Sequence, residues 1–150
     1  FRVNSQGQFN VPFGRYKAPK FRDETVLGAV HDYLNWAQVE LLVADFAGAV
    51  EKAKAGDFVY FDPPYDPISP TAGFTGYDLA GFDREDQRRL KSVYDQLTAR
   101  GVKCLLSNSA TPFTLELYRN YETIFVSANR FINSSPDKRG KVREVLIKNW

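Results

Sequence analysis

Four consecutive residues, Asp62-Pro63-Pro64-Tyr65, have groups suited to holding an amino-bearing ring. The Asp62 carboxylate can accept a hydrogen bond from an exocyclic amino group. Pro63 has no N–H, so the turn offers carbonyl oxygens rather than donors. Tyr65 supplies a flat π surface on which a base can stack. The tetrapeptide therefore predicts a pocket for an amino-bearing base, although Asp-Pro-Pro is also a common way to end a strand.

The elements around this tetrapeptide predict where it lies. The apolar run Phe58–Phe61 leads directly into Asp62, and ligands collect at the carboxyl ends of strands in open α/β sheets. Apolar runs of strand length also occur at Val39–Val43 and Val102–Leu106. Continuous apolar strands that alternate with helices favour an α/β fold with a sheet covered on both faces.

The remaining pattern predicts helices and turns. Asp83 is expected to cap a helix that Gly101 ends, with a core stripe of Leu90, Val93, Tyr94 and Leu97. Further predicted elements are a hairpin closed at Ser5–Gly7, helices at Thr25–Ala37, Ala47–Ala55 and Thr114–Asn120, a loop over residues 66–82, strands at Thr123–Ala128 and Val142–Lys148, and a polar loop at Asn133–Gly140.

Composition excludes several classes of protein. The mean hydropathy is −0.39, and no apolar run approaches the roughly 20 residues that span a bilayer. The chain has 1 cysteine and 1 histidine, too few for a structural zinc site. Cys104 is expected to be a small buried hydrophobe in a reducing compartment, and His31 a surface or core residue. These features predict a cytoplasmic protein without a metal.

Charge is concentrated at the two ends of the chain. Residues 1–22 contain five basic residues and no acid, residues 128–150 carry a net +4, and the stretch between them carries −7. Two basic ends flanking an acidic body suit a polyanion partner. Ordinary solvated surface is the other interpretation of the same charges.

Two segments give the sequence a specific resemblance. Asp62-Pro63-Pro64-Tyr65 looks like the catalytic signature of amino-group DNA methyltransferases, and residues 9–17 look like the recognition hairpin of the bacterial Dam family. Three further segments fall in that family's order: Phe74-Thr75-x-Tyr77, Leu106-Ser107-Asn108 and Arg130-Phe131-Ile132. The resemblance covers essentially the whole chain.

The resemblance implies a fold, a reaction and an active site. The fold is an S-adenosylmethionine-dependent (Rossmann-like) methyltransferase sheet, here incomplete, with an inserted DNA-recognition hairpin. The reaction is methyl transfer from S-adenosylmethionine to the N(6) amino group of adenine in double-stranded DNA. Asp62 and the Pro63 carbonyl would orient that amino group within the Asp62–Tyr65 turn, and Tyr65 would stack on the flipped base. Asp45 and Phe46, with Asp62, would hold the cofactor.

The resemblance also implies DNA contacts. Arg2 would read a guanine and Pro12 would contact a thymine methyl, as suits an arginine and an apolar ring. GATC is the site that it suggests. The other DNA-contacting residues would be Asn4, Arg15, Tyr16, Lys17 and Arg130. Residues 1–38 would then be part of the target-recognition segment, and residues 39–150 the C-terminal part of the catalytic domain, in a protein acting as a monomer.

One family feature is missing from the 150 residues. Members carry a Phe-x-Gly-x-Gly segment that cradles the methionine part of the cofactor, and Gly-x-Gly does not occur here. The chain also has no methionine and starts at Phe1, so we expect an excerpt of a longer chain that is inactive by itself. A truncated or degenerate DNA-binding module is the alternative function. Methylation of a cytosine amino group or of a protein glutamine is a third.

Overall fold

The computed structural model describes residues 6–8, 22–36, 38–68, 81–129 and 141–150. The chain divides into two compact units, Phe1–Leu42 and Val43–Trp150. Of the first unit, helix α1 (Glu24–Trp36) is described, close to the predicted Thr25–Ala37. Asp23 Oδ1 accepts a hydrogen bond from the Val26 N–H at 3.1 Å, which satisfies one of the free donors at the start of this helix.

The described residues of the second unit form an open sheet of four strands. They are β1 (Phe58–Phe61), β2 (Lys103–Ser109), β3 (Glu122–Asn129) and β4 (Lys141–Lys148). The spatial order is β1-β2-β4-β3, with β1 at one edge. β1 and β2 are parallel, in a register that pairs Phe61 with Leu106, whereas β4 is antiparallel to both of its neighbours. The carboxyl ends of β1 and β2 therefore meet at one edge of the sheet.

One long helix, α3 (Arg84–Ala99), covers one face of this sheet. It begins with a capping box, in which Asp83 accepts from the Asp86 N–H and Asp86 accepts from the Asp83 N–H. Its buried residues include Leu90, Tyr94 and Leu97, as the periodicity predicted. Gly101, with a φ of 75°, ends it in a left-handed conformation.

The buried core lies between this helix and the strands. Apolar side chains from β1, β2 and β4 pack against the α3 stripe, among them Phe61, Leu106 and Ile147. Cys104 is fully buried, and burial raises the pKa of its thiol to about 11, which keeps the thiol protonated at neutral pH. The prediction that Cys104 is a small core residue is confirmed.

Two short helices differ from their predicted bounds. Helix α2 is only Phe46–Ala49, because turns follow it and the Arg100 guanidinium donates to the Val50 and Glu51 carbonyls. Helix α4 (Pro112–Leu117) begins earlier than expected, since Thr111 caps it.

The predicted strand Val39–Val43 is wrong. These residues form no strand, and all five are exposed in the structure. A strand requires a hydrogen-bonded partner, and none of the described strands pairs with this segment. The apolar pattern of Val39–Val43 indicates that the segment favours burial, but it does not indicate which strand would pair with it.

The expectation of a sheet covered on both faces is also wrong for the described residues. Phe58 and Tyr60 lie on the face of β1 opposite to its buried residues, and their side chains are 57% and 51% exposed. On the opposite face, Val59 and Phe61 pack against the core. The described helices of this unit thus cover one face.

Several other predictions concern residues outside the described ranges. Gly7 lies at a bend with a φ of 76°, while nearly all of both arms of the predicted hairpin, most of the 66–82 loop and the loop Asn133–Gly140 fall outside them. In the part of the chain that the structure describes, no helix has the length and apolar character to cross a bilayer.

Candidate active site

The turn Asp62–Asp66 leaves the carboxyl end of β1 beside the end of β2. Its exposure changes along the chain: Asp62 is exposed, Pro63, Pro64 and Tyr65 are half-buried, and Asp66 is buried. The parallel pairing of β1 with β2 explains why this turn lies next to Ser107 and Asn108. The strand-end position predicted for the tetrapeptide is confirmed.

A chain of two hydroxyl groups holds the Asp62 carboxylate. Ser107 is 3% exposed, and its Oγ donates to Asp62 Oδ1 at 2.8 Å. The Tyr60 hydroxyl in turn donates to Ser107 Oγ at 3.0 Å. One carboxylate oxygen is therefore fixed from the sheet side, and Oδ2 is the oxygen that can face a ligand.

Tyr65 presents a neutral ring. Burial raises the pKa of its phenol above the ordinary 10, the neighbouring Ser107 hydroxyl opposes this shift, and the nearby Glu144 and Asp62 carboxylates add to it. The side chain thus stays uncharged well above neutral pH. A neutral, half-buried aromatic ring is suited to stacking on a base.

A cleft of about 540 Å³ opens beside this turn. Its walls come from the segment before α2, from the end of β1 and from the first turns of α3. Asp62 and Pro63 line it on one side, and Asp45 and Phe46 line it on another. The structure therefore brings Asp62, Pro63 and Pro64 to one cleft with Asp45 and Phe46, whereas Tyr65, at the end of the same turn, is not among the residues that line it.

Arg89 of α3 contacts both proposed cofactor residues. Its guanidinium donates to Asp45 Oδ2 at 2.8 Å and to Oδ1 at 2.5 Å, and lies 4.4 Å from the centre of the Phe46 ring. The hydrogen bond from Arg89 lowers the pKa of Asp45, although desolvation opposes it. Asp45 also accepts from the Ala47 N–H at 3.0 Å, and the Phe46 ring meets Phe82 edge to face.

An ionised carboxylate beside an aromatic face is a donor–acceptor set that fits an adenine ring. The carboxylate can accept from an amino group, and the ring can contact the purine plane. In the structure Arg89 makes both kinds of contact, because its guanidinium donates to the Asp45 carboxylate and lies over the Phe46 ring. The residues present thus fit the adenine end of S-adenosylmethionine, with Arg89 as a competitor for the same groups.

The proposed DNA-contacting residues lie outside the described residues, so the structure does not place them relative to the cleft. They are Arg2, Asn4, Pro12, Arg15, Tyr16, Lys17 and Arg130. The segment Phe74–Tyr77 lies outside as well. Across the described residues, no group of three or more His, Cys, Asp or Glu side chains is arranged to hold a metal ion.

Comparison with known proteins decides the family. A family model described as D12 class N6 adenine-specific DNA methyltransferase matches residues 1–132. The chain belongs to this family. The resemblance to adenine methyltransferases inferred from the sequence is thereby confirmed.

Curated relatives match along all or nearly all of the chain. A type II methyltransferase of Lactococcus lactis subsp. cremoris is 44% identical over 150 residues, covering 100% of this chain and 53% of that protein. A type II methyltransferase of Methanocaldococcus jannaschii is 44% identical over 152 residues, covering 100% and 52%. The DNA adenine methylase of Serratia marcescens is 38% identical over 146 residues, covering 97% and 53%. The chain spans about half the length of these relatives.

Among the described residues, three that contact the cleft or the turn were given no individual role from the sequence. Ser107 directly follows the predicted strand Val102–Leu106, so its closeness to Asp62 follows once that strand is known to run parallel to β1. Arg89 and Gln87 gave no such signal. Both lie on α3. The sequence pattern of this helix identifies its buried stripe, but it does not show that the start of the helix lies beside the turn Asp62–Asp66.

Proposed function

We propose that the protein containing this chain transfers a methyl group from S-adenosylmethionine to the N(6) amino group of adenine in double-stranded DNA, with GATC as its site. The observation that carries the proposal is the Asp62 carboxylate, fixed by Ser107 at the mouth of a cleft whose other wall holds Asp45 and Phe46. Membership of the adenine-specific family supports the choice of base.

The target base must leave the duplex to reach this cleft, which costs a few kcal/mol. Stacking on the neutral Tyr65 ring returns about 1–3 kcal/mol. Asp62 Oδ2 and the Pro63 carbonyl then accept the two amino hydrogens. The amino lone pair is otherwise delocalised into the purine ring, and these two acceptors favour a more tetrahedral nitrogen.

Interactions that strengthen as the nitrogen becomes tetrahedral accelerate the chemical step, whereas uniform binding does not. The Ser107 hydroxyl contributes by keeping the Asp62 carboxylate in place before the base arrives. When bound, S-adenosylmethionine supplies an electrophilic methyl group on sulfur. Asp45 and Phe46 would hold its adenine, with Asp62 at the reacting end.

The DNA-facing part of the proposal depends on residues 1–17 and Arg130. Arg2 reads a guanine, Pro12 contacts a thymine methyl, and the remaining residues position the backbone. The five basic residues within positions 1–22 support this assignment, because phosphate contacts dominate DNA affinity. We also infer that residues 1–150 by themselves lack activity, since they contain no Gly-x-Gly turn.

The test is Asp62→Ala in the protein expressed from its complete gene. We expect methyl transfer to a GATC duplex to be abolished while the affinity for that duplex stays within a few-fold of wild type. Asp57→Ala, at the opposite end of β1, is the matched control and should retain turnover. Near-normal transfer by Asp62→Ala would remove Asp62 from the mechanism.

A further inference from the structure

Gln87 is a polar residue on the buried face of α3. It is 2% exposed, and the next buried positions of that helix are Leu90, Tyr94 and Leu97. Burying an amide without partners costs about 1–3 kcal/mol, so its surroundings must satisfy it. The partners identify what the side chain holds.

Both ends of the Gln87 amide are bonded to the active-site side of the fold. Its Nε2 donates to the Pro64 carbonyl at 2.8 Å, and its Oε1 accepts from Asn108 Nδ2 at 3.1 Å. Asn108 is fully buried, and its Oδ1 accepts from the Asp66 N–H at 2.9 Å. Two side-chain amides in series thus hold the backbone of the turn at Pro64 and Asp66.

The far side of the turn is fixed by the Asp66 carboxylate. This side chain is 1% exposed and accepts from Arg84 Nε at 3.0 Å and from Thr111 Oγ1 at 2.6 Å. Thr111 is also the residue that caps α4. The turn is therefore attached to α3, to β2 and to the start of α4.

We propose that Gln87 is a positioning residue for methyl transfer, which acts by holding the Pro64 carbonyl towards α3. This inference rests on the proposed function. With that carbonyl bonded to Gln87, the Pro63 carbonyl and Asp62 are the acceptors that the turn presents to the amino group. A displacement of about 1 Å at such acceptors can cost roughly 100-fold in rate.

Two substitutions separate positioning from simple packing. Gln87→Met keeps the length of an unbranched side chain and removes both hydrogen bonds. Gln87→Glu keeps the acceptor for Asn108 and replaces the donor to Pro64 with an oxygen. Gln96, an exposed amide on the same helix, provides the controls Gln96→Met and Gln96→Glu.

The measurement is steady-state methyl transfer by the protein from its complete gene, below the melting temperature of every variant. We expect both Gln87 variants to lower kcat by roughly 10- to 100-fold, with KM for the duplex changed less than about threefold. The Gln96 variants should match wild type. A kcat within twofold of wild type for Gln87→Met would overturn the proposal. A loss of kcat no larger than the fraction of unfolded protein in the assay would overturn it as well.

Amide hydrogen exchange gives a readout that does not require turnover. The Asp66 amide, bonded to Asn108 Oδ1, should exchange faster in Gln87→Met, whereas the Val102 amide, bonded to the Leu97 carbonyl, should not change. Absence of methyl transfer in the wild type would refute the proposed function alone. Unchanged exchange at Asp66 would refute the positioning role of Gln87 regardless of activity.

Discussion

At the scale of single residues, the site depends on how a carboxylate is held before its ligand arrives. Asp62 is exposed, so water competes for both of its oxygens. The buried Ser107 hydroxyl occupies Oδ1, and Tyr60 orients that hydroxyl by donating to it. A donor fixed in advance costs no reorganisation during the reaction.

Ser107→Ala tests this support. The substitution removes one hydrogen bond to a charged group, worth about 1.5–3 kcal/mol, so we expect kcat to fall by roughly 10- to 100-fold. Single-turnover methyl transfer in the protein from its complete gene is the measurement. Ser127→Ala, at an exposed serine on β3, is the control. Unchanged turnover in Ser107→Ala would show that Asp62 needs no donor from β2.

Arg89→Ala tests the competition at the proposed adenine subsite. Arg89 bonds both Asp45 oxygens and lies over the Phe46 ring, so a purine that uses these groups must displace it. Both side chains of the pair are about half exposed, at 48% and 51%, so solvent screening weakens the pair and lowers the cost of displacement. Its removal should therefore tighten binding of S-adenosylhomocysteine by only about two- to fivefold in calorimetry.

The neighbouring Arg88 pairs with Glu85 at 3.2 Å and gives the matched control, Arg88→Ala, which should leave the affinity unchanged. Weaker binding by Arg89→Ala would contradict the competition. It would mean instead that the guanidinium helps to hold the cofactor.

At the scale of elements, two buried tyrosines differ in how their hydroxyls are satisfied. Tyr94 of α3 donates to the Cys104 carbonyl of β2 at 2.9 Å and to the Ile147 carbonyl of β4 at 3.2 Å. The Tyr118 hydroxyl has no hydrogen-bond partner among the described residues. Both side chains are fully buried and their rings meet edge to face at 5.5 Å.

Tyr94→Phe should therefore destabilise the fold by about 1–2 kcal/mol, because it leaves two strand carbonyls without that donor. Tyr118→Phe should be neutral or slightly stabilising, because it removes an unpaired buried hydroxyl. Urea unfolding with unchanged m-values is the measurement. An equal loss of stability in both variants would show that the phenol bonds of Tyr94 contribute nothing beyond packing.

The same elements show what the sequence could predict. Strand β1, strand β2 and helix α3 were predicted from their apolar patterns, and so was the position of Asp62 at a strand end. Val39–Val43 has an equally strong apolar pattern but forms no strand, because the pattern does not provide a pairing partner. Gln87 and Arg89 escaped prediction because their roles depend on the orientation of α3 relative to the turn.

At the scale of the whole molecule, the chain carries one part of a proposed methyltransferase site. Asp62 and its turn lie across the cleft from Asp45 and Phe46, and in the proposed function they would hold the target base while Asp45 and Phe46 hold the adenine of the cofactor. The curated relatives are about twice as long as the matched region. The 150 residues contain no Gly-x-Gly turn for the methionine end of the cofactor.

We therefore predict that residues 1–150 alone bind S-adenosylmethionine weakly and transfer no methyl group to DNA. The remaining contacts must still offset the entropy of binding, so losing half of them from a ligand with a Kd near 1 μM should move the Kd to roughly millimolar. Calorimetric titration is the measurement, with circular dichroism to show that the polypeptide is folded and the protein from the complete gene as the reference. Micromolar cofactor binding together with measurable methyl transfer would contradict the prediction, and would mean that another segment of these 150 residues replaces the glycine turn.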